Sequence, residues 1–593
     1  MPRFPMLRFV TIVALLTLAA GCPSARDAAT EGDPAQPAVE PPVEPPAQPP
    51  VEPPAEAPVE PPAEPPVEPL ADPPVELVQP TEPTAEQPIG QPYGAEASPA
   101  GGPSGVPVAE PEDPTAGELK PLPSKDDPFD PVKENGPIFV GWTKPKLAMV
   151  ISGRQDGYIE PCGCAGLNRM KGGMSRRHTM FKELRARGWP VVGLDAGGIA
   201  KGFGRQAELK FQIMVDGMRK MGYDAIALGK HDLRLPAAEL LSVTASTADQ
   251  KSPFVSANVA LFGFDSQMTA QVRVIEAAAM KIGVTAVLGS EWQKEIVNAE
   301  IEMIAPEAAL TKIVPALRQQ TNYLVLLAHA TMEETLVLAE RFPQFNLVVT
   351  VGGPAEPPAM PQSINDGKTL LIEVGEKGMN AVVLGLYDDA RQPLRYQRVP
   401  LDSRFEGSAE MKMLMEAYQD QLEQLGFAGL GIRPVPHPQQ DPCGSFVGSE
   451  KCKSCHEESY DVWKKSGHAK AYQTLLDPDP ARDSDPECIS CHVTGWHPTK
   501  HFPYQSGYWS LETTPRLIDT GCESCHGPGS AHVKAENGGD LALQQKLQEA
   551  VAVSKEEAEK RLCLSCHDLD NSPDFDFETY WPYVDHLEDV EDE

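Results

Sequence analysis

Short apolar segments alternate with amphipathic segments between residues 145 and 402. Apolar runs rich in Val, Ile and Leu are typical of buried strands, and apolar positions at helical spacing indicate helices. The pattern predicts strands over residues 147–152, 191–196, 225–229, 254–259, 282–288, 323–329, 347–352, 370–374 and 381–386, and helices over residues 207–221, 236–245, 306–319 and 332–341. Strands that alternate with helices predict an α/β domain over residues 145–402.

Two further helices are predicted outside this series. One covers residues 409–425 and is followed by a Pro-rich stretch, so residues 403–442 form a connector. The other carries the basic run Arg176-Arg177 and His178, and its charge predicts a helix that faces solvent.

Residues 1–22 have the pattern of a signal peptide. An apolar run over residues 9–20 follows two arginines and is too short for an ordinary transmembrane helix. The small residues before Cys22 resemble a bacterial lipobox, which implies a lipidated Cys22 and a lipid anchor in the membrane. Ala19 stands where Leu is usual in a lipobox, so ordinary cleavage or an uncleaved anchor stays open.

Residues 23–136 are of low complexity and repeat Pro-Pro-Val-Glu and Pro-Pro-Ala-Glu, for example over residues 41–69. Proline removes backbone donors and the spaced glutamates repel one another, so this segment cannot bury a core. The composition predicts a disordered, extended, polyproline-like linker. A recognition role for the proline motifs is the alternative.

The pattern Cys-x-x-Cys-His occurs four times near the end of the chain. Its copies are Cys452-Lys-Ser-Cys455-His456, Cys488-Ile-Ser-Cys491-His492, Cys522-Glu-Ser-Cys525-His526 and Cys563-Leu-Ser-Cys566-His567. This is the attachment motif of c-type haem, in which the thiols bind the vinyl groups and the His is the proximal iron ligand. Zinc ribbons, the alternative, need no His after each Cys pair. We predict four covalent haem c groups packed in a mainly helical domain over residues 443–593.

The second axial ligand of each haem iron is predicted to be a histidine. No Met follows Met415, so a Met from this domain cannot be an axial ligand. The candidate distal ligands are His468, His532, His586 and His497, and His501 and the upstream His437 are also available. A surface or helix-capping histidine is the alternative at each position.

The formal net charge is −34 and the chain has 12 cysteines. The acidic composition argues against nucleic acid as a partner and favours a basic redox partner protein. Cysteines used mainly in haem motifs indicate an extracytoplasmic protein, in the periplasm or cell envelope. Three cysteines, Cys162, Cys164 and Cys443, lie outside the motifs and the lipobox. A disulfide from Cys162 or Cys164 to Cys443, a local redox pair and soft-metal ligation all stay open.

Residues 443–590 resemble the tetrahaem cytochrome c-554 type family. The resemblance rests on residues 446–456, Ser466-Gly-His468-Ala, residues 488–496 and residues 521–532. It implies closely stacked haems with two His ligands on most irons, low potentials and electron transfer outside the cytoplasm. Some relatives keep one five-coordinate haem that binds small nitrogen species. Whether His497 or His501 reaches the last iron stays open.

The strand ends of the α/β domain carry an ordered set of motifs. They are Ala227-Leu-Gly229-Lys230-His231-Asp232, Phe254-Val-Ser-Ala-Asn258-Val259, Val325-Leu-Leu-Ala-His329 and Val351-Gly352-Gly353. In this order they resemble the 5′-nucleotidase branch of the calcineurin-like metallophosphoesterases. The resemblance implies a four-layer α/β/β/α sandwich, with loops at the strand ends that hold two divalent metals to activate water and clamp phosphate.

Most of the metal ligands that this resemblance implies are absent. The Asp-x-His position reads Arg154-Gln155-Asp156, the bridging Asp is Gly198, the Asn before His231 is Lys230, and the His-x-His reads Pro354-Ala355-Glu356. Of the implied metal ligands only His329 is present. His231 is also present, but most of the metal ligands expected beside it are missing. We therefore expect no divalent metal in this domain, which becomes a scaffold or an anion-binding domain.

Arg154 and Lys230 place fixed positive charge where the metals would lie. They could pair with Asp156, Asp232 and Glu356, or form a small anion site. Asp156 and Glu356 are also chemically able to replace lost metal ligands.

The sequence therefore predicts an extracytoplasmic tetrahaem cytochrome that transfers electrons, joined to a degenerate phosphoesterase-like domain. One alternative is a haem oxidoreductase that acts on a small nitrogen or sulfur oxyanion. The other is a working metal-dependent phosphoesterase or nucleotidase with a haem domain.

Overall fold

The first strand of the α/β domain, β1 (Leu147–Ser152), contributes side chains to two different cores. Leu147 and Met149 join a core between two sheets. Ala148 and Val150, which alternate with them, join a core between one sheet and a layer of helices. Because successive side chains of a strand point to opposite faces, this strand lies in a sheet that is covered on both sides.

The structure is a computed structural model that describes residues 128–162, 167–246 and 251–586. The predicted signal peptide, Cys22, most of the predicted linker and Cys164 lie outside the described residues. All of the described residues belong to one compact unit, which begins at Pro111.

Two large sheets form the centre of the α/β domain. The strands are β1 (Leu147–Ser152), β2 (Val191–Asp195), β3 (Tyr223–Ile226), β4 (Val259–Leu261), β5 (Arg273–Ala277), β6 (Met280–Leu288), β7 (Ile301–Met303), β8 (Tyr323–His329), β9 (Leu347–Thr350), β10 (Gln362–Ile364), β11 (Thr369–Glu373), β12 (Asn380–Leu386) and β13 (Leu394–Pro400). One sheet has the order β13-β12-β1-β2-β3 and the other β10-β11-β9-β8-β6-β5, while β4 and β7 form a separate pair. Strands β1, β2 and β3 run parallel, as do β6, β8 and β9.

Helices cover the outer face of each sheet. The helices up to the connector are α1 (Pro131–Asn135), α2 (Met174–Ala186), α3 (Arg205–Met221), α4 (Ala237–Thr244), α5 (Ser290–Gln293), α6 (Pro306–Gln320), α7 (Met332–Arg341) and α8 (Ala409–Gly429). Phe181 of α2 and Phe211 of α3 pack in the core of the first sheet, and Leu310 of α6 packs in the core of the second. The predicted order of helices, sheet, sheet and helices is confirmed.

Three predictions about local structure are wrong. Residues 254–259 were expected to form a strand, but Phe254 makes only an isolated bridge and the strand begins at Val259. The predicted linker contains the helix α1. Arg177 and His178, expected in solvent on α2, are 0% and 6% exposed. His178 is buried beneath the start of α8, where Ser408 Oγ lies 2.7 Å from His178 Nδ1. Arg177 instead donates to the carbonyl of Gly378 at 3.4 Å.

The region from residue 443 onward consists mainly of short helices and loops. Its helices are α9 (Gln440–Cys443), α10 (Ser449–Cys452), α11 (Glu457–Lys465), α12 (Gln473–Leu476), α13 (Pro486–His492), α14 (Cys522–His526), α15 (Ser530–Glu536), α16 (Leu541–Val551), α17 (Lys555–Glu557) and α18 (Phe577–Tyr580), and a hairpin joins β14 (Trp496–His497) to β15 (Phe502–Pro503). A small apolar cluster that includes Phe446, Ile489 and Leu517 packs beneath the hairpin residue Trp496. We call residues 443–586 the haem-motif region.

The connector helix α8 is packed into the α/β domain. Met411, Met415, Tyr418 and Leu422 lie in the same core as α2 and α3. The backbone leaves helical geometry at Gly426, so the regular helix ends close to the predicted residue 425. None of the helices in the described part of the chain combines the length and the apolar character of a membrane span.

Candidate functional site

Each Cys-x-x-Cys-His motif folds as a tight helical turn. The second and third motifs lie in α13 and α14, and the fourth begins in the 3-10 turn Cys563–Ser565. In the fourth motif the amide of His567 donates to the carbonyl of Cys563 at 2.8 Å, and in the first motif His456 bonds Cys452 in the same way at 3.0 Å. The turn brings the two thiols and the histidine of one motif together, as attachment to one porphyrin requires.

Three histidines outside the motifs face three motif histidines. The ring centres of His456 and His532 are 6.3 Å apart. Those of His526 and His586 are 6.0 Å apart, and those of His567 and His468 are also 6.0 Å apart. In each pair a residue predicted as a distal ligand meets a residue predicted as a proximal ligand.

These separations fit one iron between each pair of rings. Two imidazoles that bind one metal from opposite sides, each through a bond of about 2 Å, have ring centres about 6 Å apart. The Nδ1 of His526 lies 2.8 Å from the carbonyl of Val551, and that of His567 lies 2.9 Å from Ser572 Oγ. A hydrogen bond at Nδ1 fixes the ring and leaves Nε2 to bind metal. The residues present therefore fit haem c.

Thiols of different motifs also lie side by side. Cys452 and Cys522 are within hydrogen-bonding range, which joins the first motif to the third. Cys566 is hydrogen-bonded to Cys491, which joins the fourth motif to the second. Cys525 of the third motif lies within electrostatic range of Cys563 and Cys566 of the fourth. The four motifs therefore form one continuous cluster, consistent with the close haem packing that the resemblance implies.

The other candidate histidines make contacts with their own surroundings. The ring of His497 lies 5.1 Å from that of Phe502 in the hairpin. His501 Nδ1 lies 3.0 Å from Ser490 Oγ of α13, and His437 packs against Tyr504 at 4.5 Å. In the second motif, His492 Nδ1 donates to the carbonyl of Ala471 at 2.6 Å. Ligation by His497 or His501 stays a prediction.

The loops of the α/β domain bring most of the predicted degenerate site together. Arg154 follows β1, Gly198 follows β2, Lys230 follows β3 and His329 ends β8. A Cβ added to Gly198 would lie 3.1 Å from His329 Cε1 and 3.3 Å from Arg154 Cα. These residues meet because the carboxyl ends of parallel strands lie at one edge of each sheet.

The cations at this site have acidic partners that the sequence did not reveal. Arg154 Nη2 lies 2.6 Å from Glu376 Oε1, and its Nη1 donates weakly to the carbonyls of Val351 and Gly353 at 3.4 Å. Glu295 lies 3.4 Å from Lys230. No short-range sequence signal links these acids to their partners, because they lie on distant loops.

The acidic residues expected to pair with these cations have other contacts. Asp232 is fully buried, and its carboxylate accepts from the amides of Gly198, Ala200 and Gly229 at 2.7–3.1 Å. Glu356 pairs with Lys171 and Arg398 at 3.5 and 3.6 Å. The expected ion pairs of Arg154 and Lys230 with Asp232 or Glu356 are therefore wrong: Asp232 instead ties three loop amides together.

Burial controls the titration of three residues at this site. It raises the pKa of Asp156 to about 6, although nearby Arg154 and Lys201 oppose the shift. Burial also lowers the pKa of His329 to about 3, and together with Arg234 and Lys230 it lowers the pKa of His231 to about 4. Both histidines are neutral at pH 7, so the fixed cations supply the positive charge here.

Within residues 128–162, 167–246 and 251–586, no group of three or more His, Cys, Asp or Glu side chains is placed to hold a metal ion. Cys443 is buried and forms no disulfide in this part of the chain, and Cys162 lies near the motif residue Cys488, whose pKa it helps to raise. The disulfide, redox-pair and soft-metal hypotheses that involve Cys164 stay predictions.

The fold and the motifs define two kinds of region: a four-layer α/β/β/α sandwich, and a mainly helical region that carries four Cys-x-x-Cys-His motifs. The sequence profile of the family described as cytochrome c554 and c-prime matches residues 451–527, which contain the first three motifs. A cytochrome c-554 of Nitrosomonas europaea is 39% identical over 97 residues, which cover 14% of this chain and 39% of the relative. This match supports haem c as the cofactor.

Two further relatives resemble the α/β domain. A snake venom 5′-nucleotidase of Gloydius brevicauda is 33% identical over 117 residues, which cover 19% of this chain and 20% of the relative. The structure of a 5′-nucleotidase precursor from Thermus thermophilus aligns with a TM-score of 0.42 and 20% identity, over 47% of this chain and 59% of that one. The chain thus spans less than two thirds of each relative. The two resemblances predicted from the sequence are confirmed.

Proposed function

We propose that this chain is an extracytoplasmic tetrahaem c-type cytochrome that transfers electrons to or from a redox partner protein. The observation that carries the proposal is the set of three histidine pairs, each with 6.0–6.3 Å between ring centres. Bound haem c supplies a one-electron centre. The eight motif cysteines would hold the porphyrins, and the paired histidines would bind the irons.

Paired histidines favour electron transfer over catalysis at these three positions. Two protein imidazoles on one iron would leave a substrate no coordination site, so such a haem would supply electron transfer alone. Burial also lowers the pKa of His567, with the neighbouring His468 adding to the shift. Burial lowers the pKa of His468 as well, so both rings are neutral, the form in which imidazole binds metal.

In this proposal the α/β domain is a metal-free scaffold. The guanidinium of Arg154 lies among the loops that would supply metal ligands, and its charge is balanced by Glu376. Lys230, 3.4 Å from Glu295, shares this carboxylate with Arg234, which lies 2.9 Å from it. Because these cations already have acidic partners, the contacts favour a scaffold over a free anion site.

The location outside the cytoplasm rests on the eight thiols committed to haem attachment and on the apolar run before Cys22. A lipid anchor at Cys22 would tether the chain to a membrane through residues 23–136. Export and fractionation of the full chain, compared with a Cys22→Ala variant, test this part. Loss of the Cys22→Ala variant from the membrane fraction would support the lipid anchor. Equal amounts of wild type and variant in the membrane fraction would contradict it.

The cofactor is tested by the mass and the optical spectrum of the purified full chain. We expect the added mass of four haems and a c-type spectrum. A Cys488→Ala/Cys491→Ala variant is the matched control and should lose one haem of four. A colourless protein without added mass would contradict the proposal.

The scaffold role is tested by metal analysis and by phosphomonoesterase assays with added manganese or zinc. We expect neither a stoichiometric metal beyond iron nor hydrolysis above background. If hydrolysis depends on added metal and an Arg154→Ala substitution changes its rate, the site is a working phosphoesterase.

A further inference from the structure

A lysine of the α/β domain contacts the helix that carries the second haem motif. Lys210 lies on α3, and its Nζ is 2.6 Å from Glu487 Oε2. Glu487 directly precedes Cys488 on α13. The Lys210 side chain is only 12% exposed, so the contact lies within the interface between the two regions.

Neighbouring hydrogen bonds hold α13 against the α/β domain. Asp485, which is 6% exposed, caps the start of α13 by accepting from the amide of Glu487 at 3.0 Å. The same carboxylate accepts from Gln206 of α3 at 2.9 Å and from Gln419 of α8 at 3.3 Å. An ion pair fixed in this way differs from a mobile surface pair, which contributes little.

Both members of the pair are charged at neutral pH. Burial alone would lower the pKa of Lys210, but Glu487 and Asp485 raise it above its ordinary value. Burial would likewise raise the pKa of Glu487, but Lys210 lowers it. Lys210 also lies within electrostatic range of Cys488.

We infer that Lys210 and Glu487 set the reduction potential of the haem bound at Cys488 and Cys491. The inference rests on the proposed function and gives the α/β domain a role in it, because α3 of this domain would line one side of the haem. Reduction adds an electron to the iron, so a nearby fixed cation favours the reduced state and a nearby anion disfavours it. The two residues therefore act in opposite directions.

The test is a redox titration of the full chain, followed optically, for wild type and single variants. Lys210→Met keeps the length of the side chain without its charge, and we expect the potential of one haem of four to fall. Glu487→Gln should raise the potential of one haem, and the double variant should lie close to wild type. Lys412→Met is the control, because Lys412 pairs with Asp479 across the same interface through largely exposed side chains.

The direction of each shift in reduction potential distinguishes an electrostatic effect of the two charges from a structural distortion of the haem site. Opposite shifts in the two single variants, with four haems retained and no shift in Lys412→Met, support the inference. Unchanged potentials, or shifts of both variants in the same direction, overturn it. If Lys210→Met does not fold, Glu487→Gln decides alone, since its side chain is 44% exposed and tolerates an isosteric change.

A second measurement assigns the effect to this haem. In a Cys488→Ala/Cys491→Ala chain, Lys210→Met should leave the remaining potentials unchanged, and a shift there would overturn the assignment. If the proposed function itself is wrong, the wild-type chain carries no haem and shows no reduction potential in the titration.

Discussion

The imidazole of His468 faces the imidazole of His567, with 6.0 Å between the ring centres. His468 precedes the second motif, whereas His567 ends the fourth, so this pair closes a long loop of the chain. The contact assigns one distal candidate to one motif, which spacing along the sequence does not do.

Removal of His468 should open one axial position. In His468→Ala we expect one of the low-spin iron signals to be replaced by a high-spin signal, because Ala has no nitrogen to bind the metal. Paramagnetic-resonance and optical spectra of the full chain measure this change. His231→Ala is the control, because His231 follows β3 in the α/β domain and is not a candidate haem ligand. An unchanged low-spin signal in His468→Ala would show that the pairing is wrong.

Restoring the bridging aspartate should destabilise the α/β domain rather than rebuild a metal site. The added Cβ of Gly198→Asp meets His329 and Arg154 at 3.1–3.3 Å, at a φ of +83°. Gly202→Asp is the control, because Gly202 has a φ of +81° with nothing within 4 Å. Crowding should make Gly198→Asp less stable than Gly202→Asp by about 1–3 kcal/mol in urea unfolding. Equal stability would mean that the loops relax around the new side chain.

Asp232 is expected to be a stability residue. Asp232→Asn replaces one carboxylate oxygen with a donor, so one of the three loop amides loses its acceptor. A buried amide without an acceptor costs about 1–3 kcal/mol, and the free energy of unfolding should fall by that amount. Asp265→Asn, on an exposed residue, should leave it unchanged. No difference between the two variants would contradict the structural role of Asp232.

Asp156 should make stability depend on pH. Burial raises its folded-state pKa from 3.8 to about 6, so its contribution to stability is present below about pH 4 and is lost as the pH rises through 6. Asp156→Asn cannot ionise and should gain stability relative to wild type between pH 4 and 7, by about 2–3 kcal/mol. Thermal unfolding followed by circular dichroism measures the difference, with Asp265→Asn as control. A difference that is constant over this range would argue against the raised pKa.

Much of the α/β fold could be predicted from local patterns. The bounds of β1, β8 and α7 agree with the predicted ones, because a buried strand or an amphipathic helix has a strong periodic signal. The strand β13 was not predicted, since it pairs only with β12 and most of its residues are half-buried. Edge strands lack the continuous apolar run that marks a central strand.

Some residues of the candidate sites could likewise be predicted from the sequence, and others could not. The four haem motifs and the lost metal ligands at Arg154 and Gly198 could be read from a few consecutive residues, because their chemistry is local. Glu376 and Glu295 could not, since nothing near them in sequence marks them as partners of the site cations. The burial of His178 also depended on Ser408 at the start of α8, which follows it by more than two hundred residues.

The sequence by itself determined that this chain carries four Cys-x-x-Cys-His motifs and an α/β domain, because short motifs and apolar periodicity specify both. Only the tertiary structure decided that His468 meets His567, that Glu376 neutralises Arg154 and that Lys210 reaches the second motif. Such contacts join residues far apart in the chain. They depend on how helices and sheets pack, and no local pattern encodes them.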